Sequence, residues 1–102
     1  MAFVTDYYER IRARDYATTW ESLSPEFRDA RNLDFEDYVS YWDNTTLEIR
    51  DLRYLPGPGA NQSRVLFDGR YDLGSRVVEE TDEITLRRDP DGRIVIVAQR
   101  IV

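Results

Sequence analysis

Two carboxylates spaced two residues apart, Glu80 and Asp82, are the side chains of this sequence best placed to do chemistry. They lie in RVVEETDEITLRR, residues 76–88, and the apolar residues on the same alternation are Val78, Ile84 and Leu86. Because strand side chains alternate between two faces, both carboxylates are predicted to point toward the core. Neighbouring carboxylates in an apolar cavity shift each other's pKa values apart, as in acid and base pairs. The alternatives are that twist or a bulge carries both to a solvated rim, or that an arginine pairs with them.

The composition restricts which chemistry these carboxylates can join. The 102 residues include no cysteine, no histidine and no lysine, so all fourteen basic residues are arginine. These gaps exclude the usual zinc and transition-metal ligands, Ser-His and Cys-His nucleophiles, and Schiff-base lysines. Catalysis would have to use Asp, Glu, Tyr and Arg alone, and we expect no cofactor and no metal.

Charge and hydropathy restrict the partners. The net charge is −6, and the arginines form no basic block of the kind that follows a phosphate backbone, so no nucleic acid partner is expected. The longest apolar run, Ile94 to Ala98, is too short to cross a bilayer, so we expect no direct membrane insertion of this segment. The chain begins inside an amphipathic pattern and stops on Ile101-Val102, which predicts a domain excised from a longer protein.

Helical spacing of apolar residues fills the first half of the chain. Residues 2–14 predict a first helix, Asp15 is placed to cap a second and Asp34 a third. Ser24-Pro25 reads as an N-cap with proline at the first helical position, which predicts a short helical turn. The predicted inward residues are Phe3, Tyr7, Ile11, Tyr16, Trp20, Leu23, Phe27, Phe35, Tyr38, Val39 and Trp42.

The second half changes to the alternating period of strands. Four strands are predicted, separated by the turn signals PGPGANQ, Gly74-Ser75 and DPDG. Connections this short favour antiparallel neighbours. The apolar residues of the first strand fall out of step near Arg50-Asp51, which predicts a bulge there. Gly69, in the middle of an apolar face, predicts a bend or a close approach.

This order of elements resembles the NTF2-like (cystatin-fold, cone-shaped α+β) superfamily. YYERIRARDYATTWESLSPEFR, FEDYVSYW and DEITLRRDPDGRIVIV are similar to the version found beside bacterial Ser/Thr kinases, anti-sigma factors and lipoproteins. The resemblance implies an α+β fold in which three N-terminal helices pack on the concave face of a curved four-stranded antiparallel sheet. It covers residues 1–102 as a single domain, and it implies an extracytoplasmic location. Its motifs specify a fold better than an activity.

The resemblance also suggests a role for Tyr7. In ketosteroid-isomerase-like members a tyrosine at a similar helix position donates to a developing oxyanion, with a protonated Asp as partner and an Asp base. Tyr7 and Asp82 would supply two of these three roles. No equivalent of the base stands between Arg28 and Leu33, where the hairpin of the enzymes is also shortened. The alternative is that Tyr7 is a core tyrosine.

Three further patterns have a functional and a structural interpretation. The aromatic residues Trp20, Tyr38, Trp42 and Tyr71 predict either a ligand box or ordinary core packing. Arg70 to Asp72, RYD, resembles the Arg-x-Asp pair of epoxide hydrolases with this fold, but alternation places both charges opposite Phe67, as a surface pair. DPDG is a calcium-loop fragment or, as we expect, a type I hairpin turn.

We therefore expect a non-catalytic accessory or sensor domain that binds a small ligand or a protein partner, as a monomer or weak homodimer centred on the last strand. The candidate pocket residues are Tyr7, Trp20, Tyr38, Trp42, Tyr71, Glu80 and Asp82. The alternative is a small cofactor-independent isomerase, dehydratase or cyclase that uses tyrosine and carboxylate proton transfer. A third possibility, a structural dimerisation module, would have no cavity.

Overall fold

A computed structural model describes residues 3–102 as an α+β fold with four short helices and one antiparallel sheet. The elements are α1 Phe3–Arg12, α2 Tyr16–Glu21, α3 Pro25–Ala30, α4 Phe35–Asp43, β1 Thr46–Pro56, β2 Gln62–Asp72, β3 Val77–Arg88 and β4 Ile94–Ile101. The sheet order is β1-β2-β3-β4, so each strand pairs with its neighbour in sequence. The predicted short turn after Ser24 is a helix of its own, which makes four helices where three and a turn were expected. Within the described residues, no helix is long and apolar enough to span a membrane.

The helix starts follow the predicted caps. The Ser24 side chain accepts a hydrogen bond from the Phe27 amide at 3.1 Å, and the Asp34 side chain accepts one from the Asp37 amide at 2.8 Å. Asp15 occupies the N-cap position of α2 without a side-chain cap hydrogen bond; its carboxylate lies 3.1 Å from Arg10. Two of the three predicted caps are therefore made by the side chain.

The first helix ends before the predicted residue 14. Arg14 has a left-handed φ of 63°. The Arg14 amide donates to the Ile11 carbonyl at 2.9 Å, and the Asp15 amide donates to the Arg10 carbonyl at 2.8 Å. This pair of hydrogen bonds is a Schellman motif, which satisfies the last carbonyls of the helix and turns the chain into α2.

The bulge predicted in β1 is present. Arg50 pairs with Asp68 and Arg53 pairs with Leu66, so β1 has one more residue than β2 between these two pairs. Asp51 takes up the extra residue with a φ of 54°. The bulge brings the apolar residues on either side of it back to one face of the sheet.

A second irregularity lies between β3 and β4, and it corrects the predicted faces of the last strand. Leu86 pairs with Ile96 and Thr85 pairs with Ala98, so β4 has one extra residue. Ile101, expected on the face of Val95 and Val97, consequently lies opposite Asp82. Directly opposed residues in an antiparallel pair point to the same side. The C-terminal half of β4 therefore turns Ile101 toward the helices.

The core lies between the helices and one face of the sheet, here called the inner face. The inner face carries the buried residues Val65, Phe67, Tyr71, Asp82, Ile84 and Leu86, and α1 covers it with Val4, Tyr7, Tyr8 and Ile11. The opposite, outer face is charged. Glu83 lies between Arg64 and Arg100, at 3.4 and 3.0 Å, and Arg70 lies 3.9 Å from Glu79.

The segment between α2 and α3 adds to the edge of the sheet. Leu23 forms an isolated parallel bridge with Ile96 of β4. The Ser24 amide donates to the Ile96 carbonyl at 2.9 Å, and the Ile96 amide donates to the Ser22 carbonyl at 2.8 Å. This pairing, here called the Leu23 bridge, fixes the helices against the last strand.

Candidate functional site

A cavity of about 870 Å³ opens between the helices and the inner face of the sheet. Its volume falls in the range of small-molecule sites, roughly 300–1,000 Å³. Aromatic and carboxylate side chains share its wall. The lining residues are Tyr7, Tyr8, Leu23, Phe27, Arg31, Leu33, Asp37, Tyr38, Tyr41, Trp42, Tyr71, Leu73, Arg76, Val78, Glu80, Asp82, Ile96, Gln99, Arg100 and Ile101.

Asp82 is the most deeply placed polar group of this wall. Its side chain is 0% exposed. The Tyr71 hydroxyl donates a hydrogen bond to its Oδ2. Its Oδ1 has no hydrogen-bond partner among residues 3–102. A buried carboxylate oxygen without a donor costs free energy, because it has lost its water and gained nothing in return. The protonated carboxyl group of Glu80 hydrogen-bonds to Asp82, so this buried acceptor is without a donor only when Glu80 is ionised.

Gly69 makes the Tyr71–Asp82 hydrogen bond possible. Tyr71 pairs with Val78 across the strands, four residues away from Asp82. Its ring reaches Asp82 by lying back over Gly69, where an added Cβ would come within 2.8 Å of Tyr71 Cε1 and 3.3 Å of Phe67 Cε2. The close approach predicted at this glycine is therefore present, and the atom that approaches belongs to Tyr71.

Glu80 is the second carboxylate of the cavity and lies on the same strand face as Asp82. Hydrogen bonding to Asp82, together with partial burial and the negative charge of Asp82, raises the pKa of Glu80 to about 7. Among the described residues, no arginine lies within ion-pair distance of Glu80 or Asp82. Glu80 is therefore about half protonated at pH 7, and no arginine forms an ion pair with either carboxyl group in this part of the chain.

The tyrosines near these carboxylates remain protonated. Burial, followed by the proximity of Tyr8 and the hydrogen bond to Asp82, raises the pKa of Tyr71 above its ordinary value. Burial and the negative charge of Asp82 likewise raise the pKa of Tyr8. Both hydroxyls are therefore neutral donors throughout the physiological pH range.

Tyr7 is part of a separate hydrogen-bonded chain. Its hydroxyl lies 2.7 Å from that of Tyr38, which donates to Thr19 Oγ1 at 2.8 Å, and Thr19 donates to the Tyr16 carbonyl at 3.3 Å. Each hydroxyl group donates one hydrogen bond. Because Thr19 donates to a carbonyl and Tyr38 donates to Thr19, Tyr7 must be the donor in the bond between Tyr7 and Tyr38. To donate to an oxyanion, as suggested for this position, Tyr7 would have to break its hydrogen bond to Tyr38.

An aromatic wall faces the carboxylates. The rings of Tyr8 and Trp42 lie 5.7 Å apart, and those of Tyr41 and Trp42 lie 5.0 Å apart, both edge to face. The charges of Glu80 and Asp82 help to raise the pKa of Tyr41, behind the larger effect of burial, and Tyr41 lines the same cavity as both groups. Tyr8, Tyr41 and Trp42 therefore form a continuous aromatic surface beside the carboxylate pair.

The structure brings six of the seven predicted pocket residues to the cavity and leaves one outside it. Trp20 is half-buried between Phe35 and Tyr38, with ring centroids at 5.6 and 5.3 Å, and the Arg28 guanidinium lies 4.4 Å from its ring. This indole packs α2 against α4 and does not line the cavity. Its helical spacing with Tyr16 predicted an inward direction but not which side of α4 it would meet.

Several lining residues were not predicted from the sequence. Gln99 and Ile101 reach the inner face through the bulge in β4, which the sequence does not signal. Tyr41 follows Tyr38 by three residues, a spacing that could have placed it on the same helix side. Arg31 lines the cavity while its Nη2 donates to the Gln99 carbonyl at 2.6 Å.

The other predicted patterns have structural roles. Arg70 and Asp72 are exposed, and Arg70 faces Glu79 across the strands, as a surface pair. In DPDG the Gly92 amide donates to the Asp89 carbonyl at 2.8 Å, which closes the hairpin turn. No group of metal-binding side chains occurs in the part of the chain that the structure describes.

Comparison with known proteins identifies relatives of the fold. No protein-family model and no curated protein matches the sequence. The chain is similar to the structure of Bd1075 from Bdellovibrio bacteriovorus, with a TM-score of 0.72 and 13% identity over 98% of this chain. It is also similar to the helical cell shape determining protein Pgp2 from Campylobacter jejuni, with a TM-score of 0.58 and 18% identity over 84% of this chain. It spans 37% and 34% of those two chains.

Proposed function

We propose that this chain is an NTF2-like accessory or sensor domain of a longer bacterial protein, and that its cavity binds a small ligand or a segment of a partner protein without catalysis. The wider setting would be an extracytoplasmic one, in a membrane-anchored signalling protein or a lipoprotein. The helix-then-sheet order supports the NTF2-like assignment. The fold likeness to about a third of two bacterial proteins, one of which determines helical cell shape, supports the role of a domain within a longer chain.

The observation that carries the proposal is the unpartnered Oδ1 of Asp82 in the wall of a large cavity. A core that served packing alone would be more stable with an apolar residue there. The carboxylate is instead retained, oriented by Tyr71, and accommodated by Gly69. A bound molecule with a hydrogen-bond donor would supply the partner that Asp82 Oδ1 lacks.

The arrangement around Tyr7 favours binding over catalysis. Its proton is committed to Tyr38, and the carboxylate nearest to the expected base position, Asp29, is exposed and outside the cavity. Two of the three groups required by a ketosteroid-isomerase-like mechanism are thus committed elsewhere or missing.

A second candidate function rests on Glu80. A carboxyl group with a pKa of about 7 is suited to proton transfer at neutral pH. Beside Asp82 and Tyr71, it would serve a small isomerase, dehydratase or cyclase that acts by abstracting and returning a proton.

A screen of small fragments by protein-observed NMR tests the proposed function. We expect fragments to shift the amide signals of Tyr71, Glu80 and Gln99, which belong to the cavity, and to leave those of Arg70 and Glu79 on the outer face unchanged. If no fragment of any charge class perturbs the cavity, the proposal is wrong. Carbonyl fragments that bind should be incubated in D₂O: deuterium uptake at the carbon next to the carbonyl, lost in Glu80→Gln, would favour the enzyme instead.

A further inference from the structure

The charge and shape of the cavity indicate what kind of ligand it takes, provided that the proposed binding function holds. Its wall combines two carboxylates with an aromatic surface, and neither carboxylate has a cationic partner among residues 3–102. Three arginines line the cavity: Arg100 binds Glu83 at 3.0 Å, Arg31 donates to the Gln99 carbonyl at 2.6 Å, and Arg76 is exposed in the β2–β3 turn without an ion pair among the described residues. No direct ion pair therefore neutralises the two carboxylates beside the aromatic surface.

Three features of this wall suit a protonated amine. When Glu80 is ionised, Asp82 Oδ1 is a buried acceptor without a donor, and an ammonium group supplies donors and a compensating charge together. Glu80 adds a second acceptor on the same strand face. The rings of Tyr8, Tyr41 and Trp42 line the same cavity as the carboxylates, and a cation over the face of such a ring gains further attraction.

We infer that the cavity binds a primary or secondary amine in its ammonium form, with the nitrogen at Asp82 Oδ1 and Glu80 and the organic part against Tyr8, Tyr41 and Trp42. An anionic ligand would meet the carboxylate pair at the deep end. A neutral alcohol would satisfy Oδ1 but would leave the negative charge uncompensated. The ammonium ion satisfies both requirements.

Binding of a cation here should be linked to proton release. The ionisable groups that line the cavity with Glu80 are Asp82 on its own strand, Tyr71 on β2, Tyr7 and Tyr8 on α1, Asp37, Tyr38 and Tyr41 on α4, Arg31 after α3, Arg76 in the β2–β3 turn and Arg100 on β4. The tyrosines, whose pKa values are raised by burial, stay neutral over the range pH 6 to pH 8. Glu80 is the group that titrates near pH 7. Amine affinity should therefore increase between pH 6 and pH 8.

The test compares benzylamine with benzyl alcohol, which has a similar shape and no charge, by NMR titration of the 102-residue chain. We expect benzylamine to bind at least about tenfold more tightly at pH 8. Glu80→Gln and Asp82→Asn should each weaken benzylamine by about tenfold and affect benzyl alcohol little. Glu79→Gln is the matched control, because it removes the same charge from the outer face of the same strand and should leave both affinities within about twofold.

The outcomes separate this inference from the proposed function. Equal affinities for amine and alcohol, or an equal loss in Glu79→Gln and Glu80→Gln, would overturn the amine inference while the cavity remained a binding site. Binding of neutral or anionic fragments without amines would do the same. If no fragment binds in the cavity, both are wrong. Glu80 is partly exposed, so Glu80→Gln decides the matter even if Asp82→Asn fails to fold.

Discussion

At the residue scale, the stability of the buried Asp82 carboxylate depends on the Tyr71 hydroxyl. Tyr71→Phe removes the donor to Oδ2 and leaves this oxygen of a fully buried carboxyl group without its partner. We expect the free energy of unfolding to fall by about 1–3 kcal/mol, the usual cost of an unsatisfied buried polar group. Urea unfolding measures this loss. Tyr54→Phe, at a ring that is 39% exposed, is the control and should change little.

Glu80 predicts how stability depends on pH. Its pKa is raised from 4.5 to about 7 in the folded protein, so between these values the folded state holds more protons than the unfolded state. Stability should therefore fall as the pH rises from about 5 to about 7.5 and level off above that. Glu80→Gln should flatten this slope, and at pH 8 the variant should be more stable than the wild type. The difference should be only on the order of 1 kcal/mol, because water screens the charge of the partly exposed Glu80.

The carboxylates with lowered pKa values affect stability outside this pH range. Arginine partners lower the pKa values of Glu26 and Glu83, so their contributions change at more acidic pH. Chemical unfolding at several pH values between 5 and 8 provides the measurement, and Glu79→Gln should follow the wild-type profile. A wild-type profile that rises with pH in this range would contradict the raised pKa.

The sequence predicted the direction of the two carboxylates but not their partner. Alternation along β3 places Glu80 and Asp82 on the inner face, because the strand has no bulge of its own before Ile84. The hydrogen bond from Tyr71 depends on the tertiary path of its ring over Gly69, four residues out of register. No local periodicity encodes such a diagonal contact.

At the element scale, Gly69 is the position where β2 accommodates the site. Gly69→Ala would place a methyl group within 2.8 Å of Tyr71 Cε1 and 3.2 Å of Leu47 Cδ1. Because an aromatic ring cannot yield as a flexible chain does, we expect a loss of about 1–3 kcal/mol in stability. The Tyr71 ring should also move away from Asp82, which NMR of the ring signals would detect. Gly74→Ala, where nothing lies within 4 Å but φ is +86°, should reduce stability without moving Tyr71.

Trp20 joins α2 to α4, and its substitution separates packing from binding. Because the indole is half-buried, Trp20→Ala should cost about 2–3 kcal/mol, less than the roughly 3–5 kcal/mol for a fully buried aromatic residue. Thermal unfolding measures the loss. Fragment binding at the cavity should be retained at a temperature where the variant is folded. Loss of binding by the folded variant would show that the indole acts on the cavity.

The two bulges show what the sequence can and cannot predict about elements. In β1 the apolar residues change alternation near Asp51, so the bulge is visible as a phase change. In β4 residues 94–98 are all apolar, so the sequence shows no alternation that a bulge could interrupt. The register there is set by pairing with β3, a tertiary effect, and the inward positions of Gln99 and Ile101 follow from it.

At the scale of the whole molecule, the outer face of the sheet argues against tight self-association. Its ion pairs are Arg64 and Arg100 with Glu83, and Arg70 with Glu79. A surface of this kind is costly to dehydrate and lacks the aromatic anchors of strong interfaces. We expect a monomer or a weak dimer in sedimentation equilibrium experiments at several salt concentrations. A nanomolar dimer that does not respond to salt would contradict this.

The Leu23 bridge has a consequence for aggregation. An unpaired edge strand is a template on which another chain can add, and the residues at the start of β4 are apolar and rich in β-branched side chains. Ser22 and Ser24 already occupy both outward hydrogen-bonding groups of Ile96. A second chain could extend the sheet at this point only after displacing the segment between α2 and α3. Substitutions that loosen this segment should therefore appear first as fibril formation rather than as loss of fold.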